Sequence, residues 1–227
     1  MNHTLYQQFD HIIVLDTETT GIAHKTDEII ELALLHLNCT AQHAQTEEES
    51  DVLIRLSPGR SVPPFITRLT GIDDAMLHAE GVSKEAACQI LSRMLSHSNT
   101  LLVAYNAQFD LCFLYYFLHR CGMAGKLKGV KMLDAMTVYK DRREYPHKLE
   151  NAIEAYGLKG QNTHRAIDDA RATLELLDAM AQEEDDLLRY VNLFGYNPKY
   201  GVSGPRISSV TYRPQGFYPS KKLYEIF

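Results

Sequence analysis

The apolar positions of this 227-residue chain come in short runs that end abruptly in polar residues. His11 to Leu15 is mostly β-branched and apolar on both faces, the pattern of a buried strand, and it runs straight into Asp16 and Glu18. A second apolar run, EIIELALLHL (28–37), fits strand or helix, and a third alternates through Val52, Ile54 and Leu56. The polar stretch AQHAQTEEES between them suits a solvated turn, with its acids at the loop tip. Together these runs predict three strands joined by hairpins.

Pro63-Pro64 breaks the pattern, and helical periodicity follows in PFITRLTGI, DDAMLHAEG and SKEAACQILSRMLSH. In the last of these Ser83 is placed to cap, and Ala87, Ile90, Leu91, Met94 and Leu95 fall on one face. TLLVAYN (100–106) reads as another buried strand, and DLCFLYYFLHRCG (110–122) as a helix closed by Gly122. VKMLDAMTVYK turns from strand to helix, KLENAIEAYG is a helix ended by Gly157, and HRAIDDARATLELLDAMAQEEDDLLRYVNLF reads as one long terminal helix. Hairpin strands followed by alternating helix and strand predict an α/β sandwich around a mixed sheet.

The composition adds bounds. Hydrophobic content of 45% and charged content of 23% are ordinary for a globular domain, and the length suffices for one core with an appendage. No apolar run is long enough to span a bilayer, and MNHTLYQQFD lacks the basic and apolar regions of a signal peptide, so the expectation is a cytoplasmic protein with no membrane role. Cys39, Cys88, Cys112 and Cys121 form no CxxC and have no suitably spaced His, so neither structural zinc nor a disulfide framework is expected of them, and the thiols should be reduced. A net charge of −6 excludes a protein that coats nucleic acid through a broad positive field, but not one that grips a few nucleotides at a metal-neutralised acidic site.

The candidate chemistry lies in the carboxylates. If the first strand persists to residue 18, Asp16 and Glu18 share one side of the sheet and repel each other unless a cation or proton intervenes. Oxygen ligands of this kind suit Mg²⁺ or Mn²⁺. Alone, the pair is as well explained as the wet end of a strand. Asp110 follows the second buried strand, where helix capping explains it equally well. In THRAIDDARAT the helical wheel separates two neighbours: with Ala166 at the centre of the inward face, Asp169 lies about 60° from it and Asp168 about 160° away. Asp169 can therefore reach a site while Asp168 faces solvent. His164 can join Asp169 only from a loop that precedes the helix.

These pieces together resemble the DEDDh 3′–5′ exonucleases, the family of the proofreading epsilon subunit of bacterial DNA polymerase III. VLDTETTG carries Asp16 and Glu18, LVAYNAQFD carries Asp110, and HRAIDDA carries His164 and Asp169 in an H-x-x-x-x-D spacing. The resemblance covers about residues 8 to 185, including DEIIELALL, RLTGID, LDAMTVYK and HKLENAIEAYGL. One departure is Tyr105, where many members have His, which implies altered nucleotide contacts. The resemblance implies an RNase H-like fold with a central mixed five-stranded sheet flanked by helices. It also implies two divalent cations, Mg²⁺ or Mn²⁺, held by Asp16, Glu18, Asp110 and Asp169, with His164 taking a proton from the attacking water. By position it points to Thr19, Ile22, Thr70, Asn106 and Phe109 as substrate contacts. Single-stranded or frayed 3′ ends of nucleic acid, DNA before RNA, are the implied partners, with a DNA polymerase subunit as a further one. An exoribonuclease and a non-catalytic polymerase-associated module are the alternatives.

Beyond this domain, taken as residues 1–190, the chain changes character. Residues 191–227 form a Gly/Pro/Tyr-rich extension whose bases Lys199, Arg206, Arg213, Lys221 and Lys222 meet no acid between positions 195 and 222. RISSVTYRP reads as a strand of a β-ribbon. The extension is expected to pack on the domain; an arm that holds single strands through phosphates and base stacking is the other reading.

Overall fold

The computed structural model describes residues 3–40 and 44–226. A short helix α1 (Thr4–Gln8) leads into strands β1 (His11–Thr19), β2 (Ile29–Cys39) and β3 (Ala44–Leu53). Helices α2 (Pro64–Thr70), α3 (Asp74–Glu80) and α4 (Lys84–Met94) follow. Strand β4 (Thr100–Ala104), helix α5 (Ala107–Arg120), strand β5 (Lys131–Asp134) and helices α6 (Ala135–Arg142), α7 (Leu149–Tyr156) and α8 (Ala166–Glu183) complete the main body. Strands β6 (Leu193–Tyr196) and β7 (Thr211–Pro214) lie in the extension.

The five main strands form one mixed sheet in the order β3-β2-β1-β4-β5. β1, β2 and β3 are antiparallel neighbours, as hairpins require, whereas β4 and β5 run parallel to β1 through helical crossovers. β1 is therefore central, and its two faces carry separate cores. Ile12, Val14, Ala33 and Leu35 pack with Ala166, Ala170 and Leu177 of α8 on one side. Ile13, Leu15, Leu32 and Leu34 pack with Leu91 of α4 and Leu111 and Leu114 of α5 on the other. A smaller cluster of Ile30, Leu53, Ile66, Ile72 and Leu77 seats α2 and α3. The ambiguous run at 28–37 is a strand because β2 is covered on both faces, which also accounts for its lack of alternation.

Three local expectations are corrected. Residues 44–50 of the acidic stretch continue β3, with Glu48 and Glu49 paired to Arg93 and Arg171; residues 41–43 of that stretch lie outside the described residues. An edge strand tolerates acids as well as a loop does, since half of it faces water. The long terminal helix ends at Glu183. The run of acids there opposes the negative end of the helix dipole, and Asp186 turns back to bond Arg142 Nη2 at 2.5 Å. Cys88 and Cys121, expected as free thiols, form a disulfide between the inner face of α4 and the residue after α5. Their Cα atoms lie 6.7 Å apart, a distance a bridge can span. A separation of 33 residues gave no local spacing from which to read the pairing. Cys39 and Cys112 are free and buried.

β6 and β7 pair in parallel. Asn192 leads into β6, and its backbone N–H donates to Met132 O of β5 at 2.7 Å. Asp141 of α6 is the main polar anchor of this region. Its carboxylate accepts from Tyr190 Oη at 3.0 Å, Gln215 Nε2 at 2.8 Å and the Leu223 backbone N–H at 2.5 Å. Among the tail bases, Arg213 donates to Leu223 O and Lys222 pairs with Glu184, while Arg206 lies over the rings of Tyr196 and Tyr212. Replacing Asp141 with Ala leaves buried donors without an acceptor. Urea unfolding of Asp141→Ala is expected to show a loss of about 2–4 kcal/mol in a single transition, while Asp141→Asn, which keeps an acceptor oxygen, loses less.

Candidate active site

β1 remains a strand through Thr19, so Asp16 and Glu18 project to the same side, the side that α8 covers. α8 delivers Asp169 there: Asp169 is buried, while Asp168 is half exposed and bonded to Thr163 Oγ1 and Arg171. His164 lies before the helix, in a left-handed backbone conformation (φ 56°) that folds the loop back toward the sheet. Gly160 helps bring that loop close, since a Cβ at this position would sit 3.0 Å from the Cα of Ala172. Ligand atoms of Glu18, His164 and Asp169 lie within 4.8 Å of one another. Asn162 Nδ2 and the Thr163 backbone N–H donate to the two oxygens of Asp169 at 3.1 and 3.2 Å, which fixes its plane.

Asp110 arrives from the opposite face of the sheet. It lies in the first turn of α5, is buried, and accepts a hydrogen bond of 2.6 Å from Thr17 Oγ1, the β1 residue between Asp16 and Glu18. The turn that aims it is held by Asp134 at the end of β5. One oxygen of Asp134 accepts from the backbone N–H groups of Asn106, Ala107 and Met136 at 2.9, 3.1 and 3.1 Å, and the other from Thr137 Oγ1 at 2.7 Å. Asn106, in the left-handed region (φ 64°), makes the sharp corner between β4 and α5.

A fifth acid stands beside this group without joining its chemistry. Glu31 of β2 lies directly across from Glu18 and is completely buried. Its carboxylate accepts from Arg165 Nε and Nη2 at 2.8 and 2.5 Å and from the Ala166 backbone N–H at 2.8 Å. The pair ties the start of α8, and with it His164 and Asp169, to the sheet. Glu31, Arg165, Thr17 and Asp134 were missed in the sequence. Glu31 resembles any acid in EIIEL, and only the register that sets it opposite Glu18 gives it a role.

The carboxylates hold their protons unusually tightly. Burial, and then the charges of Asp110, Asp169 and Glu18, push Asp16 well above the ordinary range. Burial and the charges of Asp169 and Glu31 raise Glu18 to about 8. Burial raises Asp110 to about 7 against the opposing bond from Thr17, and Asp169 to about 7 against the bond from Thr163. The nearby guanidinium of Arg165 is committed to Glu31. A set of oxygen donors that cannot all ionise without added positive charge is suited to hard divalent cations.

The sequence-derived substrate contacts divide. Ile22 is 86% exposed, Asn106 is exposed, and Phe109 is half-buried with its ring 4.9 Å from that of Phe113. Thr19 is buried with its hydroxyl donating to Gly21 O, and Thr70 is buried with its hydroxyl bonded to Ile66 O and the Ile72 N–H, so both side chains are engaged inside the fold. Tyr105 packs in the core on the α8 side and donates to His147 O at 2.9 Å, which turns its hydroxyl to a structural use.

Known proteins resemble this chain over most of its length. The chain is 32% identical over 173 residues to the DNA polymerase III subunit epsilon of Treponema pallidum, covering 73% of this chain and 74% of that protein. It is 32% identical over 179 residues to the 3′-5′ exonuclease DinG of Bacillus subtilis, covering 75% of this chain but only 18% of the relative's length. Among solved structures, E. coli ExoI in a complex with ssDNA superposes with a TM-score of 0.71 at 18% identity, over 81% of this chain and 43% of that one, and so shares the fold. The family model described as Exonuclease (RNase_T) matches residues 13–177, a span that contains all three acidic motifs, and the chain belongs to that family.

Proposed function

We propose that this chain is a metal-dependent 3′–5′ exonuclease that releases nucleoside 5′-monophosphates from the 3′ ends of DNA. The observation that carries the proposal is the convergence of Glu18, His164 and Asp169 within 4.8 Å at the strand end that also bears Asp16 and faces Asp110. Two divalent cations, Mg²⁺ or Mn²⁺, when bound there would supply Lewis-acid stabilisation of the attacking and leaving oxygens. Asp16, Glu18, Asp110 and Asp169 would hold them. His164 would accept the proton of the attacking water on a ring nitrogen. Ile22, Phe109 and Asn106 are the accessible candidates for contact with the terminal nucleotide.

DNA is favoured because the epsilon subunit belongs to a DNA polymerase and ExoI was solved with ssDNA. The same relationship supports work beside a polymerase, in proofreading or repair. Residues 1–190 would carry the exonuclease domain, with 191–227 as an extension packed on it. No helix among the described residues is long and apolar enough to cross a membrane.

Three outcomes test this reading. With 3′-labelled DNA and RNA oligonucleotides and Mn²⁺, the protein should shorten DNA from its 3′ end, whereas Asp16→Ala and Asp169→Ala should be inactive yet folded, and Asp168→Ala should retain nearly full activity. Full activity in Asp169→Ala would sink the assignment, and digestion of RNA alone would redirect it to an exoribonuclease. Arg165→Ala frees the His164 segment from the sheet, so kcat should fall about 100-fold with KM much less affected. The third outcome concerns the metal-free protein. Its raised carboxylates contribute stability that is fully present below the ordinary carboxylate pKa and is lost as pH rises through about 7 to 8. In thermal melts with chelator, stability should therefore fall across that interval. Mn²⁺ held at one concentration, about 100 times its Kd at neutral pH, should restore about 2.7 kcal/mol there, and more at higher pH, where the ionised carboxylates bind it more tightly.

A further inference from the structure

The end of β1 opposite the carboxylates carries a second convergence of ligand side chains. His11 opens β1, His36 lies near the end of β2, and His97 lies in the loop between α4 and β4. In the β1–β2 ladder His11 is paired with Asn38 and His36 with Ile13, so the two imidazoles are diagonal neighbours on one face, the face that packs against α4 and α5. His11 Nδ1 and His36 Nε2 are 3.0 Å apart. The His97 ring lies 4.4 and 4.6 Å, centroid to centroid, from those of His11 and His36. One ring nitrogen from each of the three falls within 4.8 Å of the others.

Stacking, and the hydrogen bond between His11 and His36, account for two of these nitrogens, but neither requires a nitrogen of His97 to converge on them as well. Zn²⁺ bound tetrahedrally at about 2.0–2.1 Å from each nitrogen would place the nitrogens about 3.3 Å apart. His11 and His36 already meet that spacing, and His97 is exposed on a loop, so it is the member free to close the remaining distance. The donors are all imidazole, which suits zinc and other borderline divalent ions rather than Mg²⁺.

A second feature of the backbone points the same way. The β2–β3 register slips here: His36 pairs with Glu48 and Leu37 with Thr46, leaving Glu47 as the extra residue of a bulge. Bulges re-aim side chains. Glu47 Oε2 lies 3.9 Å from His36 Nδ1, the ring nitrogen on the far side from His11, and accepts from Asn38 Nδ2 at 3.3 Å. That distance is one of an ion pair rather than a hydrogen bond, and a negative charge on this side of the imidazole favours its metal-bound form.

We propose that His11, His36 and His97 form a zinc site distinct from the nuclease centre, with the carboxylate of Glu47 beside it. Five residue steps along β1, about 17 Å of strand, separate His11 from Asp16. A bound ion would join the start of β1, the end of β2 and the loop before β4. The fourth coordination position would belong to water.

The test uses the full chain carrying Asp16→Ala and Asp169→Ala, which removes the carboxylate centre as a competing metal site. After chelator treatment, Zn²⁺ is titrated against a chromophoric chelator, and Co²⁺ against its own visible absorption. One equivalent of Zn²⁺ should bind and raise the melting temperature, and Co²⁺ should give the intense bands of a tetrahedral site. Adding His97→Gln, an exposed position that leaves the core untouched, should abolish the equivalent and the thermal shift. Glu47→Gln should weaken binding about 10- to 100-fold. Absence of zinc binding in the parent, or binding unchanged by His97→Gln, would overturn the proposal. In the otherwise native chain, His97→Gln should leave Mn²⁺-dependent nuclease activity unaltered.

Discussion

Mutual repulsion among carboxylates at the tip of β1 is the constraint to which the rest of the molecule answers. Like charges brought out of water raise one another's proton affinity, and left to themselves they would turn apart. They stay together because each is mounted on an element that has other reasons to be where it is. Asp16 and Glu18 ride on the central strand, which is gripped by two cores at once. Asp169 rides on α8, whose Ala166 and Ala170 let the helix lie close to the sheet. Asp110 rides on α5 and is held by Thr17 from the same strand. The folded chain thus stores an unfavourable local electrostatic arrangement against a large favourable burial of apolar surface. That is the usual condition of a site prepared for a cation.

The supporting polar residues are as specific as the acids they aim. Glu31 neutralises Arg165 and caps the start of α8 with the same carboxylate, so the position of the helix and of the His164 loop depends on one side chain that is wholly out of solvent. Asp134 fastens the first turns of both α5 and α6. Breaking one partner of such buried pairs costs far more than the pair is worth as a stabiliser, because the remaining group is left charged and unpaired. Their value is in direction.

What the sequence made legible followed from period and spacing. Strand alternation put Asp16 and Glu18 on one side, and helical period separated Asp169 from Asp168; both are local properties that tertiary packing did not alter. The three motifs in order made the family readable, and the matched span contains them. Long-range facts were not legible. The Glu31–Arg165 contact depends on a strand register and spans 134 residues, and the Cys88–Cys121 bridge depends on how α4 meets α5. The hydrogen bonds that hold the hydroxyls of Thr70 and Tyr105 within the fold, to Ile66 O and His147 O, likewise depend on packing that no spacing in the sequence shows. The end of α8 was misplaced because apolar periodicity resumes at Leu187 after the acids that interrupt it.

The acids of β3 have a consequence for how many copies of this molecule can share a solution. A sheet with an open edge is a template for another sheet, and the two edges here are treated differently. The β5 side receives the backbone of Asn192, so part of its hydrogen-bonding capacity is used within the chain. Among the described residues the β3 side pairs with no further strand, and it carries Glu47, Glu48 and Glu49, the last two in ion pairs with Arg93 and Arg171. A second copy approaching edge to edge would meet those ion pairs and the exposed carboxylate of Glu47, which an added strand would have to accommodate or displace. The charge run that reads in the sequence as a loop tip thus fastens an edge strand to the helices on both of its faces and leaves that edge charged.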